Sequence, residues 1–412
     1  MSSGLEVLEE RGFIKQCTDI ETLKKKLEKE TVSFYLGIDP TAASLHAGHM
    51  VPLFAMAHLH QAGHKAIALV GGGTARIGDP SGKTETRKML SIEQIQHNTE
   101  CLKKQIGRFI NFDAGNAILV DNAEWLADLN YIEFLRDIGR HFSVNRMLGF
   151  EAYKMRMESG LSFLEFNYQL LQSYDFLVLN QRYGCSLQIG GDDQWGNIVA
   201  GADLIRRVEG NEAYGLTVPL VTRADGKKMG KTEKGALFMD PSMVSPYEFF
   251  QYWRNVPDAD VGKFLLIYTF LPADEAKELG SLKDSAINHA KEVLAFELTK
   301  IVHGEEEASK AKEASRAAFA RGTSGSQDKS AIPSMDLPLS ELENGIDAMS
   351  LFGKTDLCSS NSEARRLIKQ GGASINDKKI DAFDTIIDAQ WLKEGELMLR
   401  AGKKRYFRII PK

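Results

Sequence analysis

The sequence has few cysteines and no long apolar run, and these absences exclude several kinds of protein. Its four cysteines, Cys17, Cys101, Cys185 and Cys358, are scattered and form no CxxC pair. This spacing argues against a zinc site or a disulfide scaffold and is typical of a reducing compartment. Nowhere do about 18 apolar residues follow one another, so no membrane span is expected. The N-terminal MSSGLEVLEERGF is acidic and lacks an apolar segment, so we expect no export signal and a cytoplasmic protein.

Positively charged residues are slightly fewer than negatively charged ones, 51 against 56, but they are concentrated near one end of the chain. The formal net charge is −5, which argues against a general nucleic-acid binder. Residues 351–412 contain 13 Lys and Arg against 8 Asp and Glu, a surplus of +5, which leaves −10 for residues 1–350. A basic terminal segment on an acidic body predicts that the small end contacts a polyanion.

The pattern of apolar runs predicts an α/β protein with more than one domain. A chain of 412 residues suggests two or three domains. Helical segments alternate with short apolar runs that we expect to be strands, at residues 34–38, 66–70, 117–120, 187–189 and 216–221. This alternation favours a parallel sheet, with ligands at the carboxyl ends of its strands.

Changes in composition predict four segments. Residues 1–222 contain the strand–helix alternation, and residues 223–322 contain a lysine-rich loop followed by helices. Residues 323–338 are rich in Gly, Ser and Pro, which favours a linker. Residues 339–412 combine a basic helix with short strands, which predicts a compact α+β module.

The HAGH sequence places His46 and His49 three residues apart at the start of a predicted helix. Helix N-termini attract phosphate, and two imidazoles there can donate to phosphoryl oxygens. Gly48 between them lets a nucleotide approach the backbone. Metal ligation or an ordinary surface position is the alternative, but the preceding DPT turn and the following glycine-rich loop favour a phosphate site.

The loop GDPSGKT, residues 78–84, resembles a phosphate-binding loop but has the wrong spacing. Only three residues separate its glycines, whereas the P-loop of NTPases needs four. A dinucleotide fingerprint fails as well, because Arg76 stands where the third glycine belongs. We interpret this stretch as a loop that offers Lys83 and Arg87 to phosphates, with a plain turn as the alternative.

Two further motifs gain meaning from those already described. The KMGKT loop offers the amines of Lys228 and Lys231 and the hydroxyl of Thr232, although lysine-rich loops are often merely solvated. On a predicted helix, Tyr168, Gln172 and Asp175 share one face. Buried polar groups need partners, so this face predicts either a structural network or, with nearby GGDDQWGN, a small-molecule pocket.

Taken together, these motifs resemble those of the bacterial tyrosyl-tRNA synthetases, which are class I aminoacyl-tRNA synthetases. HAGH is similar to the HIGH signature of that class and KMGKT to its KMSKS signature. YLGIDPT, ALVGG, GDPSG, YQLLQSYDF and IGGDDQWGN are more specific than either signature. NSEARRLIKQGGASINDKK is similar to the S-four-type RNA-binding domain.

The resemblance implies a Rossmann-like catalytic domain, an anticodon-side helical domain and an RNA-binding domain. It implies that ATP, with Mg²⁺, and tyrosine form tyrosyl-adenylate, and that tyrosine then passes to tRNA(Tyr). We expect no tightly bound cofactor and assign no metal ligands. The residues implied in phosphate chemistry are Thr41, His46, His49, Lys83, Arg87, Lys228, Lys231 and Thr232.

Two sets of binding residues are implied in the same way. The tyrosine set places Tyr35 and Asp175 at the phenol, followed by Asp79, Tyr168, Gln172 and Gln188. The ATP and adenylate set is Gly37, Asp39, Gly48, Gly191, Asp193 and Gln194. The tryptophanyl synthetases share the scaffold, but the Tyr35–Asp175 pair and the C-terminal module favour tyrosine.

Two residues depart from the family pattern, and three hypotheses follow. Pro52 is expected within the first turn of the HAGH helix, and Arg76 replaces a small residue beside GGxT. The first hypothesis is a homodimeric tyrosine–tRNA ligase whose interface lies around residues 131–164. A different nucleotide enzyme, such as a P-loop NTPase or a dehydrogenase, is the second. An RNA-binding protein without catalysis is the third.

Overall fold

The described part of the chain divides into two compact units. The computed structural model describes residues 4–81, 89–222, 224, 229–232, 235–319, 332–402 and 405–412. The first unit comprises Met1–Val244 and Trp253–Val302, and the second comprises Ser245–Tyr252 and His303–Lys412. The helical segment expected at residues 223–322 is therefore distributed over both units rather than forming one of its own.

Helices and strands alternate as predicted, although the strand expected at residues 216–221 begins and ends earlier, at Tyr214–Val218. The helices are α1 Gly4–Arg11, α2 Ile20–Lys29, α3 Ala47–Gln61, α4 Ile92–Ile106, α5 Ala123–Leu126, α6 Tyr131–Asp137, α7 Val144–Leu148, α8 Glu151–Ser159, α9 Phe163–Tyr183, α10 Trp195–Val208, α11 Pro246–Arg254, α12 Val261–Tyr268, α13 Ala273–Gly280, α14 Ile287–His303, α15 Glu305–Phe319, α16 Leu339–Glu343, α17 Ala348–Gly353 and α18 Asn361–Lys369. The strands are β1 Gln16–Cys17, β2 Ser33–Ile38, β3 Lys65–Val70, β4 Ala117–Asp121, β5 Cys185–Gly191, β6 Tyr214–Val218, β7 Lys231–Thr232, β8 Gly235–Ala236, β9 Ser334–Leu337, β10 Ile346–Asp347, β11 Ala373–Ile375, β12 Lys378–Lys379, β13 Ile386–Ile387, β14 Leu397–Ala401 and β15 Arg405–Pro411.

The first unit is built on a six-stranded sheet in the order β1-β6-β5-β2-β3-β4. All neighbours run parallel except the short edge strand β1, which pairs antiparallel with β6. Five consecutive residues of β6 and five of β3 are buried, as expected for parallel strands covered on both faces. The predicted α/β class and parallel sheet are confirmed.

The N-terminal helix α1 is tied to α12 through one buried side chain. The guanidinium of Arg11 donates to the carbonyl oxygens of Leu266, at 2.9 Å, of Thr269, at 3.0 Å, and of Leu271. Leu266 lies in the last turn of α12, where carbonyl oxygens lack helical partners, and Thr269 and Leu271 follow the helix. Arg11 therefore acts as a C-terminal cap that holds the helical segment against the α/β part of this unit.

The second unit contains a five-stranded sheet in the order β12-β11-β14-β15-β9 and a two-stranded sheet of β10 and β13. Its core includes Leu337, Ile375, Leu399 and Ile409. Strand β9 lies within the predicted linker, so the linker expectation is wrong for residues 334–337. Parallel pairing with β15 and burial of Leu337 outweigh the local Gly, Ser and Pro composition.

Candidate active site

The predicted phosphate-site histidines lie at the start of α3, as expected. His46 is the N-cap, and its Nδ1 accepts a hydrogen bond from the Gly48 amide at 3.1 Å. The His46 amide in turn donates to Nδ1 of His49 at 3.2 Å, and the two rings stack with centroids 3.9 Å apart. Because each Nδ1 is an acceptor, each neutral ring carries its proton on Nε2. The site therefore presents two imidazole donors at a helix N-terminus.

Pro52 lies one turn further into α3 than the sequence suggested. Since Ala47 is the first helical residue, Pro52 is the sixth and belongs to the second turn, not the first. A proline there removes one helical hydrogen bond and crowds the carbonyl one turn earlier, that of Gly48. The helix continues to Gln61 because most of its side chains are buried.

The KMGKT loop is held directly against the HAGH helix start. Backbone bonds join Leu237 to Gly230 and Ala47 to Leu237, the latter at 3.0 Å. Gly230 has φ of +80°, and a Cβ added to it would lie 2.9 Å from Cβ of Ala47. Strand β7, Lys231–Thr232, directly follows Gly230 in the chain, and Phe238 forms an antiparallel bridge with His46. The predicted juxtaposition of the two signatures is present in the backbone.

Three predicted phosphate contacts lie outside the described residues, namely Lys83, Arg87 and Lys228. Of Lys231 and Thr232 only the backbone is described. Thr41 is exposed just beyond β2, and its amide donates to the Asp39 carbonyl at 2.8 Å. The roles expected for these side chains remain predictions.

The face of α9 that carries Tyr168, Gln172 and Asp175 is buried or half-buried, as its spacing predicted. The Tyr168 hydroxyl donates to Oδ2 of Asp39 at 2.9 Å. Burial and the neighbouring Asp39 raise the pKa of Tyr168 well above its ordinary value, so the hydroxyl remains a donor. Tyr168 therefore links α9 to the carboxyl end of β2.

Tyr35 and Asp175 form a buried pair suited to a phenol. Each is 1% exposed, and the Tyr35 hydroxyl has no hydrogen-bond partner among the described residues. Asp175 accepts from the Asn122 amide at 2.9 Å and from the Trp125 indole at 2.7 Å. Burial raises the pKa of Asp175 to about 8, although these two donors favour the carboxylate. An orphaned buried hydroxyl beside an acceptor suggests a polar ligand group between them.

A second polar group surrounds Asp79. Its carboxylate accepts from the Ser81 amide at 2.9 Å and from the Gln194 amide at 2.7 Å. Asn197 donates to both Gln172, at 3.0 Å, and Gln194, at 3.2 Å. Asp79, Gln172 and Gln194, predicted separately from three motifs, are thus brought together by the fold.

The remaining predicted residues lie on β2 and β5, directly after β5, or in the first turn of α3. Gln188 on β5 lies opposite Tyr35 on β2, and no described residue forms a hydrogen bond with its buried Oε1. Gly191 ends β5 and is followed by a short 3-10 helix, Asp192–Gln194. Gly37, on β2, and Gly48 both have exposed backbone. These positions are compatible with the nucleotide contacts expected of them.

Sequence reasoning missed four residues that organise the site: Thr74, Asn122, Trp125 and Asn197. Each bonds a predicted residue from another element. The only available signal was the polar residue that follows each strand, since Asn122 comes directly after β4. Arg76, which departs from the family pattern, lies half-buried after β3, and its buried Nε has no hydrogen-bond partner among the residues that the structure describes.

The described residues contain neither a cluster of metal-ligating side chains nor a helix that could span a membrane. No group of three or more His, Cys, Asp or Glu side chains in those ranges could hold a metal ion. Across the same parts of the chain, no helix is long and apolar enough to cross a membrane.

Two family models match the sequence, and the first of them spans the parallel strands, the HAGH helix start and the KMGKT loop. Residues 26–320 match the class I tRNA synthetases (W and Y), and residues 327–409 match the tyrosine--tRNA ligase SYY-like C-terminal domain. The chain belongs to the class I tRNA synthetases of this tryptophan and tyrosine group. The resemblance drawn from the motifs is confirmed.

Two relatives of the chain within this group are named tyrosine--tRNA ligase. The one from Treponema denticola is 59% identical over 411 residues, covering 100% of both chains. The one from Acetivibrio thermocellus is 56% identical, covering 99% of both. Among solved structures, a C-terminally truncated mitochondrial tyrosyl-tRNA synthetase from Aspergillus nidulans is 31% identical with a TM-score of 0.70, covering 77% of this chain and 95% of its own.

Proposed function

We propose that this chain is an ATP-dependent tyrosine–tRNA ligase. The observation that carries the proposal is the buried Tyr35–Asp175 pair. A substrate phenol would donate to Asp175 and accept from the Tyr35 hydroxyl, which has no hydrogen-bond partner in the part of the chain that the structure describes. Phenylalanine would leave both groups unpaired, and unpaired buried polar groups are costly.

The first step joins tyrosine to the α-phosphorus of ATP. The tyrosine carboxylate, already ionised at neutral pH, attacks that phosphorus, and pyrophosphate departs with the electron pair of the broken P–O bond. No general base is needed, so catalysis consists of positioning and of stabilising charge on phosphoryl oxygens. The Nε2–H groups of His46 and His49 supply that stabilisation, together with Lys83, Arg87, Lys228, Lys231, Thr232 and Thr41.

The second step transfers tyrosine to tRNA(Tyr). The terminal ribose hydroxyl of the tRNA attacks the adenylate carbonyl, and AMP leaves. Asp39, Gly37, Gly48, Gly191, Asp193 and Gln194 hold the adenylate, while Asp79, Tyr168, Gln172 and Gln188 hold the amino acid. The bonds that Asp79 and Gln172 already make with Gln194 and Asn197 support this arrangement, because they fix the acceptors around one point.

ATP is expected to arrive as its magnesium complex. Two carboxylates of the site already accept hydrogen bonds. Asp39 accepts from Tyr168 and Thr74, and Asp79 accepts from Ser81 and Gln194. They do not fit a dedicated magnesium cage, whose oxygens would face the ion. The ion would be carried by the phosphates of ATP, and no step is assigned to protein-bound metal.

The functional unit is proposed to be a homodimer in the cytoplasm. Large exposed apolar side chains are frequent at residues 131–164, with Ile132 and Phe163 each 71% exposed. The set comprises Tyr131, Ile132, Val144, Met155, Met157, Phe163 and Leu164. A second copy of the chain is the proposed occupant, because such patches on soluble proteins mark interfaces. Sedimentation of wild type and Phe163→Lys would test this: the variant should be monomeric, and an unchanged sedimentation coefficient contradicts the assignment.

ATP–pyrophosphate exchange tests the catalytic proposal. We expect exchange that depends on tyrosine and is not supported by phenylalanine or tryptophan at equal concentration. ATP hydrolysis without dependence on an amino acid would favour a different nucleotide enzyme. RNA binding without exchange would favour a non-catalytic RNA-binding protein.

A further inference from the structure

A continuous hydrogen-bonded chain joins the two ends of the proposed tyrosine site. Tyr168 donates to one oxygen of Asp39, at 2.9 Å, and Thr74 donates to the other, at 2.7 Å. Asn122 donates to Oγ1 of Thr74 and to Oδ2 of Asp175, both at 2.9 Å. The chain therefore runs from the group expected at the substrate amine to the group expected at the substrate phenol.

The direction of each bond in this chain is fixed. The Asn122 side chain is fully buried, and its oxygen accepts from the Gly73 amide at 2.7 Å, so its NH₂ group must face Thr74 and Asp175. Thr74 has one hydroxyl proton, and Asp39 at 2.7 Å is a closer acceptor than the Gly71 carbonyl at 3.3 Å, so the proton is donated to Asp39 and the lone pairs of Thr74 receive the Asn122 proton. Reversing any single bond would place two donors or two acceptors against each other.

The chain also has little room to move. A Cβ added to Gly71 would lie 2.0 Å from Oδ1 of Asp39 and 2.4 Å from Oγ1 of Thr74. Only a glycine allows these two oxygens to meet above the end of β3. The link between Asp39 and Asn122 thus depends on one small side chain, that of Thr74.

We infer that Thr74 is a positioning residue that couples recognition of the tyrosine amine to recognition of its phenol. This inference rests on the proposed function. Tyr168 and Thr74 donate to the same carboxylate, so an amine that strengthens the Tyr168 bond to Asp39 weakens the Thr74 bond to it. Asn122 then donates less to Thr74 and more to Asp175, which becomes a weaker acceptor for the phenol, so the two ends of tyrosine bind together less tightly than their separate contributions predict.

A cycle of four ligands measures this coupling directly. The ligands are tyrosine, phenylalanine, 3-(4-hydroxyphenyl)propanoate and 3-phenylpropanoate, which carry both groups, the amine alone, the phenol alone and neither. Affinities come from calorimetry, with weak ligands measured by displacement of tyrosine. The coupling factor is the loss of affinity on removing the hydroxyl when the amine is present, divided by the same loss when it is absent.

In wild type we expect a coupling factor of about 0.1 to 0.3, and in Thr74→Val a factor near one. Valine keeps the shape of threonine but can neither donate to Asp39 nor accept from Asn122. Thr74→Ser restores the hydroxyl and should restore the coupling. The matched control is Thr99→Val, because Thr99 is a buried threonine on α4 whose hydroxyl has no hydrogen-bond partner within the described ranges. That variant should keep the wild-type factor.

The outcomes separate the inference from the proposed function. If wild type does not bind tyrosine, the proposed function fails and this inference fails with it. If tyrosine binds but wild type shows no coupling, or Thr74→Val retains it, the inference alone is overturned. A merely structural role for Thr74 would weaken all four ligands equally and leave the factor unchanged, which also overturns it. Should Thr74→Val not fold, Thr74→Ala against Thr74→Ser gives the same comparison.

Discussion

The proposed phenol-binding carboxylate should make the folded protein less stable at high pH. Asp175 is almost fully buried, and burial raises its pKa from 3.8 to about 8. Between these two values the folded state holds a proton that the unfolded state has released. Stability contributed by this group is therefore greatest below pH 4 and is lost as the pH rises to about 8.

Replacing Asp175 by asparagine removes this dependence. Each pH unit between the two pKa values corresponds to about 1.4 kcal/mol, so the wild type carries a penalty of roughly 6 kcal/mol at pH 9 and about 2 kcal/mol at pH 5. Asparagine has one acceptor oxygen, so either Asn122 or Trp125 loses its acceptor, at a cost of about 1–3 kcal/mol. We expect Asp175→Asn to be about as stable as wild type at pH 5 and more stable by about 3–4 kcal/mol at pH 9.

Urea unfolding followed by circular dichroism from pH 5 to pH 9 measures this difference. Asp128→Asn is the matched control, because Asp128 is exposed, and its stability relative to wild type should stay constant. A difference for Asp175→Asn that is flat, or that shrinks as the pH rises, refutes the reasoning. The variant should also lose tyrosine-dependent exchange, so its added stability would come with lost activity.

Three other changes have defined outcomes. His49→Ala should slow adenylate formation by roughly 10²–10³-fold with tyrosine affinity nearly unchanged, and an unaltered single-turnover rate would exclude its role. Burial, aided by the charge of Arg11, lowers the pKa of His58 to about 3, so the stability of the wild type should fall as the pH drops below 6.5. In urea titrations, His58→Leu should lose this acid sensitivity. Identical pH profiles for the variant and the wild type would contradict the prediction. The exposed side chains of Arg365, Arg366 and Lys369 lie on α18. Replacing all three by Gln should weaken tRNA charging and flatten its salt dependence, while ATP–pyrophosphate exchange stays unchanged. Equal loss of charging and exchange would indicate a structural role.

Features encoded locally could be predicted from the sequence. The strands ending in GIDPT, GGGT and IGGDDQ were recognisable because parallel sheets bind ligands where such strands end. The shared face of Tyr168, Gln172 and Asp175 followed from helical periodicity alone. The meeting of HAGH with KMGKT required the family resemblance, because Ala47 and Gly230 are far apart in the chain and nothing local relates them.

Features that depend on tertiary pairing could not be predicted. Thr74 and Asn122 are unremarkable residues after strands, and their importance comes from partners on α9 and β2. Strand β9 was hidden by linker-like composition, because its pairing with β15 is not visible in its own residues. The boundary between α14 and α15 lies at Gly304, whose φ of +93° favours a residue without Cβ, and within a run of helix-favouring residues this single glycine is a weak signal.

The contact between Gly230 and Ala47 limits how the two signatures can be exchanged. Installing isoleucine in place of Ala47 would fill the space that the Gly230 backbone now occupies, and a serine at 230 would have to adopt a left-handed conformation against the same methyl group. A chimaera that borrows only one signature from a synthetase with bulkier residues should therefore displace the lysine loop. Transfer of both signatures together, with the 235–239 segment that pairs with them, is the substitution we expect the scaffold to tolerate.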